Sequence, residues 1–409
     1  MRYPSSLSRN FSEPLNVVRE MLDAVCKATH ATQLIPIASS HIVLDAFAMG
    51  RAGAEFIESL AEQGARFVVP TTINSISYDR LVGPGAPAGD VLGIHGFQKR
   101  MLDACEYMGA MSTCSCNPFS QGISPLYGQH VAWSESATTA YINSILGAHS
   151  NREGATAIAS AITGLTPSYG MHEKANRYGT LHFSVETEVG DRSELQLLGA
   201  LIARRANGGV PVISGLGALD DDEAFGFSAS FSIIGNSSMF HICGVTPDAQ
   251  SLQAAFNAAV PRPIVIDSRD LDKERLRYEN GQARKIDMVS VGAPHASIKE
   301  IHQVVRLLNS RKVNPTVKFV ITTNRGNYAI AESSGLLSML LEAGVQVTAD
   351  RSCFGCDIVA GKFAYRAVLA TNSLKAAYSA PGTREVDVCY GSLSQCIEAA
   401  VSGAWAPGR

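Results

Sequence analysis

The chain has 409 residues, with 34 lysines and arginines against 37 aspartates and glutamates. A formal net charge of −3 lacks the positive excess that nucleic-acid binding requires. No apolar run reaches the roughly 18 residues of a membrane helix, and the first residues lack the apolar core of a signal peptide. We therefore expect a soluble, cytoplasmic protein of two or three lobes, whose nine cysteines are thiols or metal ligands rather than disulfides.

The first 150 residues alternate predicted helices and short strands. Apolar residues spaced three and four apart predict the helices, and short apolar runs between polar residues predict the strands. The predicted helices are Leu15 to Thr29, Ala52 to Gln63, Gln98 to Met108 and Ala132 to Ala148, and the predicted strands are residues 33–41 and Ala65 to Pro70. We assign these residues, 1–150, to a first lobe.

The middle of the chain, residues 151–265, is predicted to be a second lobe rich in glycine and small residues. Its Gly215–Leu216–Gly217 segment lacks the rest of a dinucleotide fingerprint, so we assign it to a turn and expect no nucleotide cofactor. The following stretch, Arg269 to Lys285, is charged and polar. It is predicted to be a solvated connection or an exposed hairpin.

The last part, residues 266–409, has the clearest pattern. Strands predicted at 286–292, 317–322, 345–349 and 363–370 alternate with amphipathic helices, and this rhythm predicts an α/β lobe with a parallel sheet and crossover helices. Ligands gather at the carboxyl ends of such strands. The loops there carry His295, Asn324, Arg325, Cys353, Cys356, Asn372, Ser373 and Lys375, which predicts one site lined by these residues.

Two short cysteine pairs are candidates for chemistry. Cys114 and Cys116 form a C-x-C pair, and Cys353 and Cys356 form a C-x2-C pair after a strand. Thiolates are soft ligands that suit zinc or an iron–sulfur cluster, and a C-x2-C pair also suits redox chemistry. Buried free cysteines are the alternative for both pairs. The cysteines in apolar or helical patterns are assigned to the core: Cys26, Cys105, Cys243, Cys389 and Cys396.

Three positions with ionisable side chains have both a functional and a structural interpretation. His295 is a candidate acid or base, or a residue that caps the next helix. Lys375 lies near a predicted helix N-terminus that favours anions, where it can bind a carboxylate or lie at the surface. Glu135 and Ser136 open a predicted helix, which also suits capping. The chain has no HExxH, Walker A or G-x-S-x-G motif.

Several segments together resemble the large, catalytic subunit of the aconitase X family, in order along almost the whole chain. They are residues 69–79, 113–119, 132–154, 242–249, 290–300, 370–382 and 392–403. The resemblance implies an aconitase-like multi-lobed α/β fold and an iron–sulfur dehydratase. It implies one of two activities, dehydration of cis-3-hydroxy-L-proline or of mevalonate 5-phosphate. It further implies that a small swivelling domain, absent from this chain, completes the site as a separate subunit.

The resemblance also implies a ligand set for the cluster. The family's first cysteine falls on Cys116, and its last falls on Cys356. The second falls on Ala293, where the thiol is missing, and Cys353 is the nearest replacement. The predicted metal ligands are therefore Cys116, Cys353 and Cys356, which would hold an iron–sulfur cluster with one open iron. A [2Fe-2S] cluster is favoured, and a larger one stays open.

Substrate contacts of the family carry over to eight positions: Leu44, Asp45, Ala46, Asn74, Ser75, Glu135, Ser136 and Lys375. By this resemblance Lys375 binds the substrate carboxylate, Glu135 pairs with a ring ammonium, and these two with Ser136 are the catalytic residues; the base is a serine of the small subunit. The missing thiol favours cis-3-hydroxy-L-proline dehydratase over mevalonate 5-phosphate dehydratase. A non-catalytic binding protein stabilised by zinc is the alternative of another class.

Overall fold

The computed structural model describes residues 14–82, 93–235, 237–278, 283–352, 367–383 and 386–406. The α-helices in these residues are α1 Pro14–Thr29, α2 Ala46–Glu62, α3 Ile94–Met108, α4 Ser136–Tyr141, α5 Thr156–Thr163, α6 Arg192–Ala206, α7 Asp221–Gly235, α8 Leu252–Ala255, α9 Ser268–Arg275, α10 Ile298–Leu308, α11 Arg325–Ser333, α12 Leu336–Glu342, α13 Leu374–Thr383 and α14 Leu393–Ser402. The strands are β1 Leu34–Pro36, β2 Ser40–Ile42, β3 Thr71–Ile73, β4 Ala132–Trp133, β5 Leu165–Pro167, β6 Leu181–Val185, β7 Pro211–Ser214, β8 His241–Ile242, β9 Ile264–Ile266, β10 Arg284–Lys285, β11 Met288–Ala296, β12 Lys318–Thr323, β13 Val345–Ala349, β14 Ala367–Thr371, β15 Val386–Tyr390 and β16 Ala404–Trp405. None of the described helices is long and apolar enough to cross a membrane.

The first sheet is small and parallel, with the strand order β3-β2-β4. The strand predicted over Ala65 to Pro70 is wrong, because pairing starts only at Thr71. The preceding backbone bonds to other elements, with Phe67 N–H donating to Met108 and Val68 N–H to Ala161. Phe67 and Val69 pack against the apolar core of the first lobe and Val68 is exposed, so the run does not form a strand.

The segment predicted as one helix over Ala132 to Ala148 contains three elements. It begins as strand β4, and Glu135 then caps α4. The chain continues as a π-helical turn over Ile142–Leu146. The predicted opening of the helix at Glu135 and Ser136 is confirmed, and the two apolar residues at the head of the segment, Ala132 and Trp133, form a buried strand before it.

The middle lobe is a parallel sheet of order β8-β7-β6-β9, with α6 and α7 packed against it. The prediction of a solvated connection beyond it is wrong for residues 268–275, which form α9. Asp267 and Asp270 build a reciprocal capping box there, and Leu271 packs into the apolar core. The prediction failed because most residues of this segment are charged, although one face of the helix is buried.

The C-terminal sheet has the order β13-β12-β11-β14-β15 and is parallel throughout, as predicted. Val291 and Ile321 are fully buried in its core. The helix predicted before β13 is two helices, α11 and α12, that meet at Gly335, whose φ of 79° is left-handed. Of the strand predicted at 363–370, only the part from Ala367 lies in the described residues.

Candidate active site

The carboxyl ends of the first and C-terminal sheets meet, and they bring together side chains far apart in sequence. Asn74 follows β3, Glu135 follows β4, and Lys375 lies in the first turn of α13, after β14. The Lys375 ammonium donates to Oε1 of Glu135 across 240 positions of sequence. Both side chains are largely buried, so this ion pair joins the two lobes inside the protein.

Glu135 is fixed by its own helix as well as by Lys375. Its Oε2 accepts the N–H of Thr138 at 2.7 Å and lies 2.6 Å from the Thr138 hydroxyl, which is the N-cap arrangement of α4. Burial opposes its charge, but Lys375 and the Thr138 donors prevail and lower the pKa of Glu135 to about 2. Glu135 is therefore both a helix cap, as one interpretation had it, and an ionised partner of Lys375.

Lys375 is positioned by the middle lobe. Gln196 on α6 accepts the N–H of Leu374 at 3.0 Å and donates to the carbonyl of Asn372 at 2.9 Å. The Ser373 hydroxyl caps the same helix by accepting the N–H of Ala376 at 3.1 Å. Because both sides of the turn are bonded, the lysine enters the site from a rigid helix start.

The Cys116 thiol lies against this ion pair. It is buried, and its sulfur accepts the N–H of His295 at 3.2 Å. Burial raises the pKa of Cys116 to about 11, while the charge of Lys375 opposes that shift. The Thr138 hydroxyl, which contacts Glu135, also lies 2.7 Å from the Cys116 carbonyl. One threonine therefore fixes the cysteine and the carboxylate relative to each other.

His295 holds the thiol in place and has both ring nitrogens engaged. Its Nε2–H donates to the Arg351 carbonyl at 2.8 Å, and Nδ1 lies 3.1 Å from the Ser115 hydroxyl. Its own carbonyl accepts from Asn117 at 3.3 Å. Burial lowers the pKa of His295 to about 4, so the ring is neutral. This geometry favours a positioning role over the acid or base interpretation.

The remaining predicted substrate contacts divide into two groups. Asn74 is buried near the ion pair, and the Ser136 hydroxyl lies 3.4 Å from Oε1 of Glu135. Ser75 is partly exposed next to Asn74. Shortly after β2 come Leu44, Asp45 and Ala46. Leu44 and Ala46 lie in the apolar core, whereas Asp45 is exposed and caps α2 through one carboxylate oxygen.

Three family models match this chain: the aconitase X first domain over residues 5–175, the second over 179–276 and the third over 286–402. A phosphomevalonate dehydratase large subunit from Methanothermobacter thermautotrophicus is 32% identical over 93% of both chains. The chain belongs to the aconitase X family.

Other similar proteins support the same family and differ in length. The cis-3-hydroxy-L-proline dehydratase of Pseudomonas aeruginosa is 34% identical over 91% of this chain, which spans only 64% of that protein. The crystal structure of Thermococcus kodakaraensis aconitase X in its holo-form superposes with a TM-score of 0.86 at 26% identity, covering 98% of this chain and 100% of that one. The aconitase-like α/β fold expected from the sequence is therefore confirmed.

The described residues supply one thiol of the ligand set expected from this aconitase X resemblance. Cys116 fits a soft metal, because its sulfur is buried and the donors that act on it are the backbone N–H groups of His295 and of Cys116 itself. Ala293, at the position without a thiol, packs its methyl group against Ala376 and supplies no ligand. Cys353 and Cys356 lie outside the described residues, within which no group of three His, Cys, Asp or Glu side chains is placed to hold a metal ion.

Sequence reasoning on this aconitase X chain missed His41. The ring is fully buried in β2, and the charge of Glu135 acts on it. Nothing in the segment marks it as functional, because a single histidine in a short strand is most often a core residue. Only the folded structure marks it, because His41 is in register with Trp133 on β4, two residues before Glu135.

Proposed function

We propose that this chain is the large subunit of a hydro-lyase that dehydrates cis-3-hydroxy-L-proline to Δ1-pyrroline-2-carboxylate. The observation that carries the proposal is the buried Glu135–Lys375 pair beside the Cys116 thiol. A zwitterionic amino acid presents a carboxylate and an ammonium, which suit this lysine and this carboxylate. The buried setting strengthens both interactions relative to water.

The reaction removes the α-proton and the 3-hydroxyl, and the resulting enamine tautomerises to the cyclic imine. Lys375 would hold the carboxylate, which orients the Cα–H bond, and Glu135 with Ser136 would orient the ring nitrogen. With a pKa of about 2, Glu135 is a poor base at neutral pH. We therefore assign proton removal to a serine of a separate small subunit, which would also close the site.

Cys116, Cys353 and Cys356 are the proposed ligands of an iron–sulfur cluster, with [2Fe-2S] favoured. When bound, such a cluster supplies an iron that polarises the departing hydroxyl. The Cys116 backbone is held by Thr138 and its sulfur by the N–H of His295, so this ligand is pre-positioned. A reduced cytoplasm suits these thiols, and that location stays a prediction.

Dehydration of mevalonate 5-phosphate is a second candidate. In its favour, the phosphomevalonate dehydratase large subunit named above matches this chain nearly end to end. Against it, the nearby Arg80 and Arg325 are engaged by Asp79 and Asp350. Two arginines and two aspartates sum to no net charge, which gives a phosphate dianion little attraction.

Anaerobic co-expression with the small subunit, followed by dehydration assays on both substrates, tests the proposal. We expect turnover of cis-3-hydroxy-L-proline and at least 100-fold less of mevalonate 5-phosphate. The reverse preference would establish the second candidate, and colourless, zinc-loaded protein would support the non-catalytic alternative instead.

The ligand set is tested separately from activity, by iron content and visible absorption. Cys116→Ser, Cys353→Ala and Cys356→Ala should each lower both. Cys114→Ser is the matched control, because it removes a buried thiol two residues from Cys116 and should keep the iron. Full iron in the Cys353→Ala variant would remove that residue from the set.

A further inference from the structure

Two asparagines join the Cys116 loop of the first lobe to the C-terminal lobe. Asn117 directly follows Cys116, and Asn324 follows β12 as the N-cap of α11. Both side chains are buried, and that of Asn324 is buried completely. Nδ2 of Asn324 donates to Oδ1 of Asn117 at 3.2 Å, across 207 positions of sequence. Burying an amide costs free energy unless its donors and acceptors are paired, so a buried amide contact between lobes indicates a specific role.

Asn117 binds the ends of two neighbouring strands at once. Its Nδ2 donates to the carbonyl of His295 at 3.3 Å, near the end of β11, and its Oδ1 accepts from Asn324, just beyond the end of β12. These two strands are adjacent in the C-terminal sheet. The N–H of His295 also donates to the sulfur of Cys116 at 3.2 Å. The Cys116–Asn117 segment therefore meets the C-terminal lobe at three points, which fixes the direction of the thiol as well as its position.

Asn324 is held in turn by its own helix and by the Cys116 loop. Its Nδ2 also donates to the Ser120 hydroxyl at 3.0 Å, and that hydroxyl donates to the Asn117 carbonyl at 2.8 Å. Its Oδ1 accepts the backbone N–H of Asn327 at 2.8 Å. Because a backbone N–H can only donate, this bond fixes which side of the Asn324 amide is oxygen. A satisfied buried network specifies one arrangement of the loop, whereas apolar contacts alone tolerate small shifts.

We propose that Asn117 and Asn324 form an amide bridge between two lobes that holds the Cys116 thiol in position as a metal ligand. This inference rests on the proposed function, which makes Cys116 a ligand of the cluster, and deepens it by naming the residues that hold that ligand. Replacing the partners that orient a metal ligand typically weakens metal binding by about 10–100-fold. Both asparagines act through Cys116, so they are positioning residues.

Asn324→Ser tests the bridge, because serine is an equally good N-cap and keeps the bond from Asn327 but has no N–H to reach Asn117. In the holoenzyme with its small subunit, we expect an iron chelator to remove iron at least about tenfold faster than from wild type, measured by visible absorption. Asn327→Ser is the matched control. It removes a buried amide of the same helix, which donates to the Ala296 carbonyl at 3.1 Å, and should change the release rate by less than about twofold.

A second measurement uses the metal-free chain. Iodoacetamide should alkylate Cys116 at least about tenfold faster in Asn324→Ser than in wild type, because the loop opens more readily without its two hydrogen bonds. Cys105, a buried thiol in the core of the first lobe, is the internal reference and should react at an unchanged rate. A general loss of stability would instead expose both thiols alike, and that result would contradict a positioning role.

Asn117→Leu removes the other half of the bridge, in case Asn324→Ser does not fold. The double variant should release iron no faster than the faster of the two single variants, because both break one connection. Wild-type rates of iron release and alkylation in the folded variants, or multiplied effects in the double variant, would overturn the inference and leave the proposed function intact. Faster alkylation of Cys116 in a protein whose wild type holds no iron would keep the bridge as the element that holds the thiol and would contradict the cluster of the proposed function.

Discussion

Two parallel sheets face each other across the site, and they differ in strand length and in how much of each strand is apolar. The C-terminal sheet has long strands, nine residues in β11 and six in β12, with apolar side chains such as Val291 and Ile321 fully buried. The first sheet has strands of two or three residues, yet its buried positions include Ser40, His41 and Thr72.

This difference suggests that the C-terminal sheet mainly stabilises the fold, whereas the first sheet mainly positions polar groups of the site. Burial of apolar area, at about 25 cal/mol per Å², stabilises the core of the C-terminal sheet, and buried polar side chains with specific partners, such as His295 and Thr322, lie near the carboxyl ends of its strands. In the first sheet each buried polar atom needs a specific partner, as when the Ser40 hydroxyl bonds the carbonyl of Ala132 at 2.9 Å. The His41 ring likewise bonds the Thr72 hydroxyl and the Asn74 side chain, and the charge of Glu135 acts on it.

The largest expected effect comes from breaking the ion pair that links the two sheets. Lys375→Met leaves the Glu135 carboxylate buried without its counter-charge, which typically costs about 3–5 kcal/mol. We also expect kcat/KM to fall by at least about 100-fold, because the substrate carboxylate loses its cation. Urea unfolding gives the first quantity, and a dehydration assay gives the second.

Two controls sharpen this result. The double variant Glu135→Gln, Lys375→Met should recover much of the stability but none of the activity. Lys299→Met makes the same substitution in an exposed pair, where Nζ lies 2.5 Å from Asp220, and should cost about 1 kcal/mol or less. Equal losses in the two single variants would show that the Glu135–Lys375 pair behaves as a surface contact.

The C-terminal sheet was predictable from sequence, and the first sheet largely was not. Apolar strands that alternate with amphipathic helices predict a parallel sheet, and the segment from β11 to β14 has that pattern. A three-residue strand with two threonines, Thr71–Ile73, gives no such period, so the prediction chose the apolar run Ala65 to Pro70 instead. The true strand, β3, is the polar segment directly after it.

The site could be predicted only where a motif marked it. Lys375 was marked by its loop after a strand, Cys116 by the C-x-C pair and Glu135 by the start of a predicted helix. The family resemblance added their roles, which stay proposals. The sequence alone could not show that Lys375 reaches Glu135, because that contact depends on how two lobes pack. His41 was missed because what marks it is its place between Thr72, Asn74 and the charge of Glu135, which only the folded arrangement reveals.

The next largest expected effect is that His41 makes the free energy of unfolding depend on pH. Its pKa in the folded protein, about 4, lies below the ordinary value of 6.5, so between these values the unfolded chain binds the proton and the folded chain does not. The contribution of His41 to the free energy of unfolding is complete above about pH 6.5. It decreases by about 3 kcal/mol as the pH falls towards 4. Urea unfolding at pH 7, 5.5 and 4.5 measures it.

His41→Gln should flatten this pH dependence relative to wild type. Glu135 does not affect this comparison of unfolding free energies. Its lowered pKa of about 2 confers stability that is complete above about pH 4.5 and is lost only below that pH. His149, also with a pKa of about 4 but outside the site, is the matched position. His149→Gln should flatten the curve as well while leaving KM unchanged; an unaltered slope in His41→Gln would contradict the burial argument.

The smallest expected effect compares one substitution in each sheet. The two substitutions should lower the free energy of unfolding by similar amounts but differ in their effect on KM. Thr72→Val keeps the shape but removes the hydroxyl at 2.8 Å from His41, which leaves Nδ1 unpaired and costs about 1–3 kcal/mol. Ile321→Val removes one methylene from the C-terminal core and costs about 0.5–1.5 kcal/mol. We expect KM for the substrate to rise severalfold only in Thr72→Val, since the freed imidazole no longer fixes Asn74, a proposed substrate contact. If KM changes equally in both variants, the polar strands have no role in recognition beyond holding the fold.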